Sequence, residues 1–199
     1  MASGVDALFA LFAAYGDSDY VGEAVSQRAH GLQAAALARA SGAADAVIAA
    51  ALLHDIGHML GLAEPDTYAR MGDCGTVAHE GLGGAWLERA GFPASTADLV
   101  RRHVDAKRYL CFKDPQYAAR LSPASRTTLG FQGGPMGAEE AAAFETDPSK
   151  DIILAMRSWD EAAKDPTLTV PPLESYRGML EALVASAQTQ TQTQKSAAV

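Results

Sequence analysis

The sequence predicts an all-α fold, and three observations carry that prediction. Segment after segment is rich in Ala and Leu, with apolar residues at helical spacing. Gly and Pro mark the joints between these segments. No alternating apolar–polar pattern of the kind a half-buried strand needs persists anywhere.

Each element has its own signal. Residues 22–41 read as an Ala-rich amphipathic helix stopped by Gly42, and 45–60 are almost wholly apolar, as a central buried helix would be. Between 61 and 78 the pattern dissolves into Gly, Pro, Asp and Met, which predicts a long loop. A helix from 79 to 90 ends at Gly91. Ser95 followed by Asp98 has the form of an N-cap and its reciprocal partner, opening a helix to about residue 110. Ser122-Pro123 starts another, with Pro where its missing N–H matters least, and the Gln-Gly-Gly-Pro run at 132–135 breaks it. Helices at 138–144, 148–164 and 173–186 follow. Thr-Gln alternation predicts a disordered tail over 188–199, leaving 1–187 as a single domain.

Composition bounds the function. A chain of 199 residues, 48% of them hydrophobic, buries one substantial core. A net charge of -8 without a Lys/Arg run excludes a nucleic-acid or anionic-membrane surface. The absence of an 18-residue apolar stretch and of a basic leader predicts a cytoplasmic protein with no membrane span. Cys74 and Cys111 have no metal-type spacing and read as structural. Oligomeric state is left open.

The chemistry lies in the histidines. His54-Asp55 closes the most apolar segment, His58 follows four residues on, and a helix over 45–60 would put His54 and His58 on one face with Asp55 about 100° round. An isolated charge there costs several kcal/mol, and coordination by a metal removes that cost. His30 stands among alanines, with Glu23 and Gln27 on the same face if the helix starts at 22. His79 opens its helix, and His103 shares a face with Lys107. All five histidines fall in less than half the chain, which favours one shared site, and Asp160 follows Trp159 on a later helix. His30, His54, His79 and His103 with Asp55 and Asp160 make an imidazole–carboxylate set suited to Fe, Mn or Zn. Six donors are too many for one catalytic metal with open positions, and they suit two metals bridged by Asp55.

Six stretches carry a resemblance: DYVGEAVSQ at 19–27, HGLQAA at 30–35, LHDIGH at 53–58, AKRYL at 106–110, FQGGPM at 131–136 and RSWDE at 157–161. Together they resemble the HD-domain superfamily of helical bundles. Within it they are similar to the mixed-valence di-iron oxygenases of the 2-amino-1-hydroxyethylphosphonate dioxygenase family, relatives of myo-inositol oxygenase. The resemblance implies two Fe ions in the Fe(II)/Fe(III) state. One would be held by His30, His54, Asp55 and Asp160, the other by His79 and His103 with Asp55 bridging. It implies an organophosphonate and O2 as substrates, with oxidative cleavage of the carbon–phosphorus bond to phosphate and an amino-acid carboxylate. Tyr20 would occupy the second iron until substrate arrives, and Glu23 would sense the substrate's cationic nitrogen. His58, Lys107 and Ser125 supply donors and charge for a phosphonate. Lys107 could equally be a solvated surface residue and Ser125 a structural one. Arg157 is either a salt-bridge partner or a pocket gate. The competing reading is an HD phosphohydrolase acting on a nucleotide or phosphate ester. It has no evident use for Tyr20 beside Glu23.

Overall fold

The computed structural model describes the backbone of residues 3–20 and 22–197, with side chains placed there except at 191 and 194–197. Val21, within one of the matching stretches, and residues 198–199 of the predicted tail lie outside the described residues. Among the described residues there are helices and two isolated β-bridges but no strand, so the fold is all-α as predicted.

Helix α1 (Gly4–Tyr15) has no counterpart in the sequence prediction. Ser3 caps it, its hydroxyl accepting from the Asp6 N–H while the Asp6 carboxylate returns to the Ser3 backbone, and Val5, Leu8 and Phe12 form its buried stripe. Helix α2 (Gln27–Ala40) starts five residues later than expected. Ser26 accepts from the Ala29 N–H and pairs with Asp19 in a β-bridge, which closes a loop ahead of the helix. Glu23 therefore projects from that loop and not from the face that carries His30.

The predicted 45–60 helix is two helices, α3 (Asp45–Leu53) and α4 (Ile56–Ala63), bent by 44° at His54-Asp55. The loop after them runs from 64 to 78, three residues shorter than expected. Helix α5 (His79–Arg89) follows Ala78, which is held left-handed at φ 53°. Helix α6 (Ala94–Lys113) begins at Pro93 without a side-chain cap. The expected Ser95–Asp98 pairing is not formed, because both lie inside the helix and Asp98 turns to Arg101. A short α7 (Pro115–Arg120), capped by Asp114, has no counterpart in the sequence prediction. Then come α8 (Pro123–Phe131), with Ser122 accepting from the Ser125 N–H, α9 (Ala138–Glu145) and α10 (Lys150–Ala162). A 3-10 turn at Leu173–Tyr176 leads into α11 (Arg177–Ala197), which covers the described part of the stretch predicted as a tail.

Helix α3 is the axis of the bundle. Every residue from Ile48 to Leu53 is buried, and α2, α6, α10 and α11 pack around it. Burial of each Leu or Ile side chain is worth about 1.5–3 kcal/mol, which makes this axis the rigid base for whatever it presents at its end. Two glycines set the spacing around it. A Cβ on Gly31 would stand 2.6 Å from the Leu52 carbonyl oxygen, so α2 rests directly on α3. A Cβ on Gly57 would stand 2.0 Å from the His79 carbonyl oxygen, so α4 and the start of α5 touch backbone to backbone. Among the described residues no single helix is long and apolar enough to cross a membrane, and the bent α3–α4 pair, which passes that test together, is mostly buried core.

Candidate metal centre

The bend between α3 and α4 delivers His54 and Asp55 into a space bounded by α2, α5, α6 and α10. Two trios of donor atoms meet there, His30 with His54 and Asp160, and Asp55 with His79 and His103. Within each trio the donor atoms lie within 4.8 Å of one another, and all six residues are buried. The histidines missing a shared helix face in the sequence are brought together by four separate elements.

Their protons can be located from their partners. His30 Nδ1 is 2.8 Å from the Ala163 carbonyl oxygen, His54 Nδ1 is 2.8 Å from that of Ala51, and His103 Nδ1 is 2.8 Å from that of Val100. A carbonyl only accepts, so each Nδ1 carries the ring proton and each Nε2 presents a bare lone pair. The Nε2 atoms meet in pairs. His30 Nε2 lies 3.1 Å from His54 Nε2, and His79 Nε2 lies 3.3 Å from His103 Nε2. Two neutral rings in these tautomers have no proton between them, so the pair repels unless a cation, a proton or a metal ion, lies between. Nitrogen and oxygen donors about 2.0–2.2 Å from a common cation stand roughly 2.8–3.6 Å apart at octahedral or tetrahedral angles. The distances found fall largely in that range.

Asp55 divides its oxygens between the two trios. Oδ2 lies 3.6 Å from His30 Nε2 and 3.4 Å from His54 Nε2, whereas Oδ1 lies 3.1 Å from His79 Nε2 and 3.4 Å from His103 Nε2. Asp160 Oδ1 faces His30 at 3.3 Å and is otherwise a buried acceptor without a hydrogen-bond partner. Its Oδ2 is taken by the Arg157 guanidinium at 2.5 Å. The donor set thus fits a pair of metal ions with a carboxylate between them.

Electrostatics point the same way. Burial opposes a charge on His54, yet the neighbouring Asp55 and Asp160 raise its pKa well above 6.5, so the carboxylates draw positive charge to the place where the nitrogens converge. Burial likewise works against ionised Asp55, but His54, His103 and His79 hold it well below the usual carboxylate range. Asp160, opposed by burial, is held down chiefly by Arg157.

The other sequence-predicted residues surround an adjoining cavity of about 60 Å³, lined by Tyr20, Glu23, His58, Lys107, Ser125 and Arg157 among others. His58 differs from the other histidines. Its Nδ1 accepts the Thr76 N–H at 3.0 Å, so a neutral His58 carries its proton on Nε2 as a donor, and its ring stacks on His79. Burial and the neighbouring His79 push its pKa well below 6.5, which keeps it neutral. Lys107 is buried and not a solvated surface residue; Nζ donates to Thr128 Oγ1 at 2.8 Å, and burial lowers its pKa to about 8. Ser125 is buried on the cavity wall. Arg157 is a salt-bridge partner of Asp160 and Glu161, and its side chain lines the cavity. The Tyr20 ring stacks on His30 with centroids 3.9 Å apart, and burial and Asp55 raise its hydroxyl pKa well above 10. Glu23 Oε1 pairs with Lys164 Nζ at 2.7 Å.

Sequence reasoning did not single out Thr128, Lys164 or the Ala163 carbonyl. Thr128 has the weak signal of lying one helical turn after Ser125. The other two lie at the end of α10 and carry no motif.

Comparison with known proteins places this geometry. An HD domain family model matches residues 28–132. The [1-hydroxy-2-(trimethylamino)ethyl]phosphonate dioxygenase (glycine-betaine-forming) of Leisingera caerulea is 41% identical over 180 residues, 90% of this chain and 90% of that protein. The hydroxymethylphosphonate dioxygenase of Gimesia maris is 38% identical over 177 residues, 89% of this chain and 86% of that protein.

Proposed function

The chain belongs to the HD-domain family, and we propose that it is a phosphonate dioxygenase with a di-iron centre. Its substrate would be a 1-hydroxy-2-aminoethylphosphonate, in the amino or the trimethylamino form, and its products phosphate with glycine or glycine betaine. The single observation that carries the reading is the division of the Asp55 carboxylate, one oxygen toward each imidazole pair. The names of the two relatives support the substrate class.

His30, His54 and Asp160 would hold one iron and His79 and His103 the other, with Asp55 between them. Such a pair supplies redox chemistry toward O2 that a single Zn does not. The protein's own residues do the rest. The His58 Nε2–H, the Lys107 ammonium and the Ser125 hydroxyl converge on the cavity and provide the donors and the positive charge that a phosphonate dianion needs. Thr128 fixes the Lys107 head, so little side-chain entropy is lost on binding. Arg157 keeps Asp160 ionised and aimed at His30. Glu23 and Tyr20 offer a carboxylate and an aromatic face to the substrate's cationic nitrogen.

Mass balance fixes the test. If the carbinol oxygen stays on carbon, cleavage adds one oxygen atom to carbon and one to phosphorus, so one O2 is consumed per phosphate. Incubation of the iron-loaded protein with each hydroxyphosphonate under ¹⁸O2 should give phosphate bearing one label. Equal phosphate release without oxygen, or turnover of nucleotides and phosphate esters instead, would return the chain to the hydrolytic members of its family.

A further inference from the structure

The carboxylate assigned to the substrate's cation already has a cation of its own. Lys164 Nζ lies 2.7 Å from Glu23 Oε1 and 5.7 Å from the centroid of the Tyr20 ring. A substrate ammonium recognised by Glu23 and Tyr20 would have to occupy that same position, between a carboxylate and an aromatic face. Both side chains are largely withdrawn from solvent, 18% exposed for Lys164 and 16% for Glu23, so the pair is not an ordinary surface contact.

Its location strengthens the point. A second cavity of about 280 Å³, lined by Tyr117, Arg120 and Glu161, lies beside the metal chamber, and Glu23, Ser125, Arg157 and Lys164 line both. The ion pair thus stands where the larger cavity meets the smaller one. The lysine's backbone is held from both sides. The carbonyl of Ala163, one residue before it, accepts from His30 Nδ1 at 2.8 Å. Asp165, one residue after it, exchanges two hydrogen bonds with the Gln33 side chain, at 2.7 and 3.2 Å. The anchor is fixed and only the four-carbon stem is free to move.

We propose that Lys164 is a specificity-determining residue whose ammonium takes the place of the substrate's cation on Glu23 and Tyr20. Cationic hydroxyphosphonates must displace it, and those with no positive charge near C1 need not. The inference rests on the phosphonate dioxygenase reading. It goes further by making discrimination between charged and uncharged substrates a property of one side chain. Removing the charge relieves the competition for cationic substrates only, whereas a merely structural lysine would affect all substrates alike.

The experiment compares kcat/KM for the trimethylamino substrate and for hydroxymethylphosphonate in the wild type, Lys164→Met and Lys164→Arg, each loaded with iron to equal content. Lys164→Met should raise the ratio of the cationic to the uncharged substrate by about tenfold, mainly through KM, as expected when a competing charge leaves a carboxylate–aromatic subsite. Lys164→Arg, which keeps the charge, should leave the ratio within about twofold of the wild type. Calorimetric titration with tetramethylammonium chloride against potassium chloride gives a readout that needs no turnover, and binding should tighten in Lys164→Met alone. A ratio and a tetramethylammonium affinity unchanged in Lys164→Met, or changed as much in Lys164→Arg, overturns the assignment while the wild-type activity stands. Failure of the wild type to release phosphate from any hydroxyphosphonate removes the parent reading, and this inference with it.

Discussion

Replacing Gly57 by Ala adds one methyl group at the contact between α4 and α5. The new Cβ would stand 2.0 Å from the His79 carbonyl oxygen and 2.6 Å from its carbon. Ordinary contact begins near 3.4 Å, so the start of α5 must retreat by about 1.4 Å. That motion would open the present 3.1 Å separation of His79 Nε2 from Asp55 Oδ1 to about 4.5 Å, well outside the few tenths of an ångström a metal site tolerates. The His30–His54–Asp160 trio stands on α2, the α3–α4 bend and α10 and is left in place. The expected outcome is one iron retained per chain instead of two. Overpacking adds a stability loss of about 1–3 kcal/mol, roughly 2–12 °C in Tm for a chain of this size. Gly81→Ala, on the same α5, is the matched control. Nothing lies within 4 Å of its Cβ position, so the methyl only improves helix propensity, by about 0.5–1 kcal/mol. Iron quantitation after anaerobic reconstitution and thermal melts of both variants check the reasoning. Two irons held by Gly57→Ala as tightly as by the wild type, or equal destabilisation by Gly81→Ala, would refute it.

Two further perturbations follow from the charges around the centre. Arg157→Met leaves Asp160 buried without its guanidinium, which should cost about 3–5 kcal/mol in metal-free protein and markedly less once iron is added; a loss of the same size with and without iron in melting experiments would count against Asp160 as a ligand. Lys107, with its pKa lowered to about 8 by burial, binds a dianion only while protonated, so KM for the phosphonate should rise as pH passes upward through about 8, and Lys107→Arg should abolish that rise. The linkage to stability has the opposite sign. Between about 8 and the ordinary 10.5 the unfolded chain binds the proton and the folded one does not, so Lys107 makes the substrate-free fold more stable as pH climbs through that window, read from melting temperature against pH in wild type and Lys107→Met.

The fold class was legible because helical periodicity and Gly/Pro punctuation are local properties, and so were most of the elements. Boundaries were less so. Helix α1 has local signals in Ser3, Asp6 and the Val5–Leu8–Phe12 spacing, whereas the start of α2 at Gln27 is set by the Asp19–Ser26 bridge, a contact that the run of alanines does not display. The candidate site was legible as a set of residue types. His30, His54, Asp55, His79, His103 and Asp160 do converge, but their convergence is a matter of tertiary approach at Gly31 and Gly57, which no window of sequence displays. Lys164 was invisible for a different reason. A lysine just past the end of a helix is ordinarily solvated, and only the fold brings it beside Glu23, 141 residues away in the chain.

The largest departure from the sequence reading lies at the most informative residues, and the departure is what places the Asp55 carboxylate between the two imidazole pairs. An unbroken helix through 45–60 would have fixed His54 and His58 on a common face and kept Asp55 on the flank. At Asp55 the backbone instead leaves helical values, φ -103° and ψ 12°, and α4 departs from α3 at 44°. Three roles then separate. His54 ends α3 with its Nδ1 on the carbonyl of Ala51 and its Nε2 toward His30. Asp55, alone at the corner, has a free oxygen for each side. His58, one turn into α4, is carried to the second pair, stacked on His79 with the opposite tautomer and a proton to donate. The apolar residues on both sides of the corner are buried, so packing of α3 and α4 holds the bend against the helix propensity that would close it. A bridging carboxylate needs neighbours on two sides, and a straight helix offers it only one.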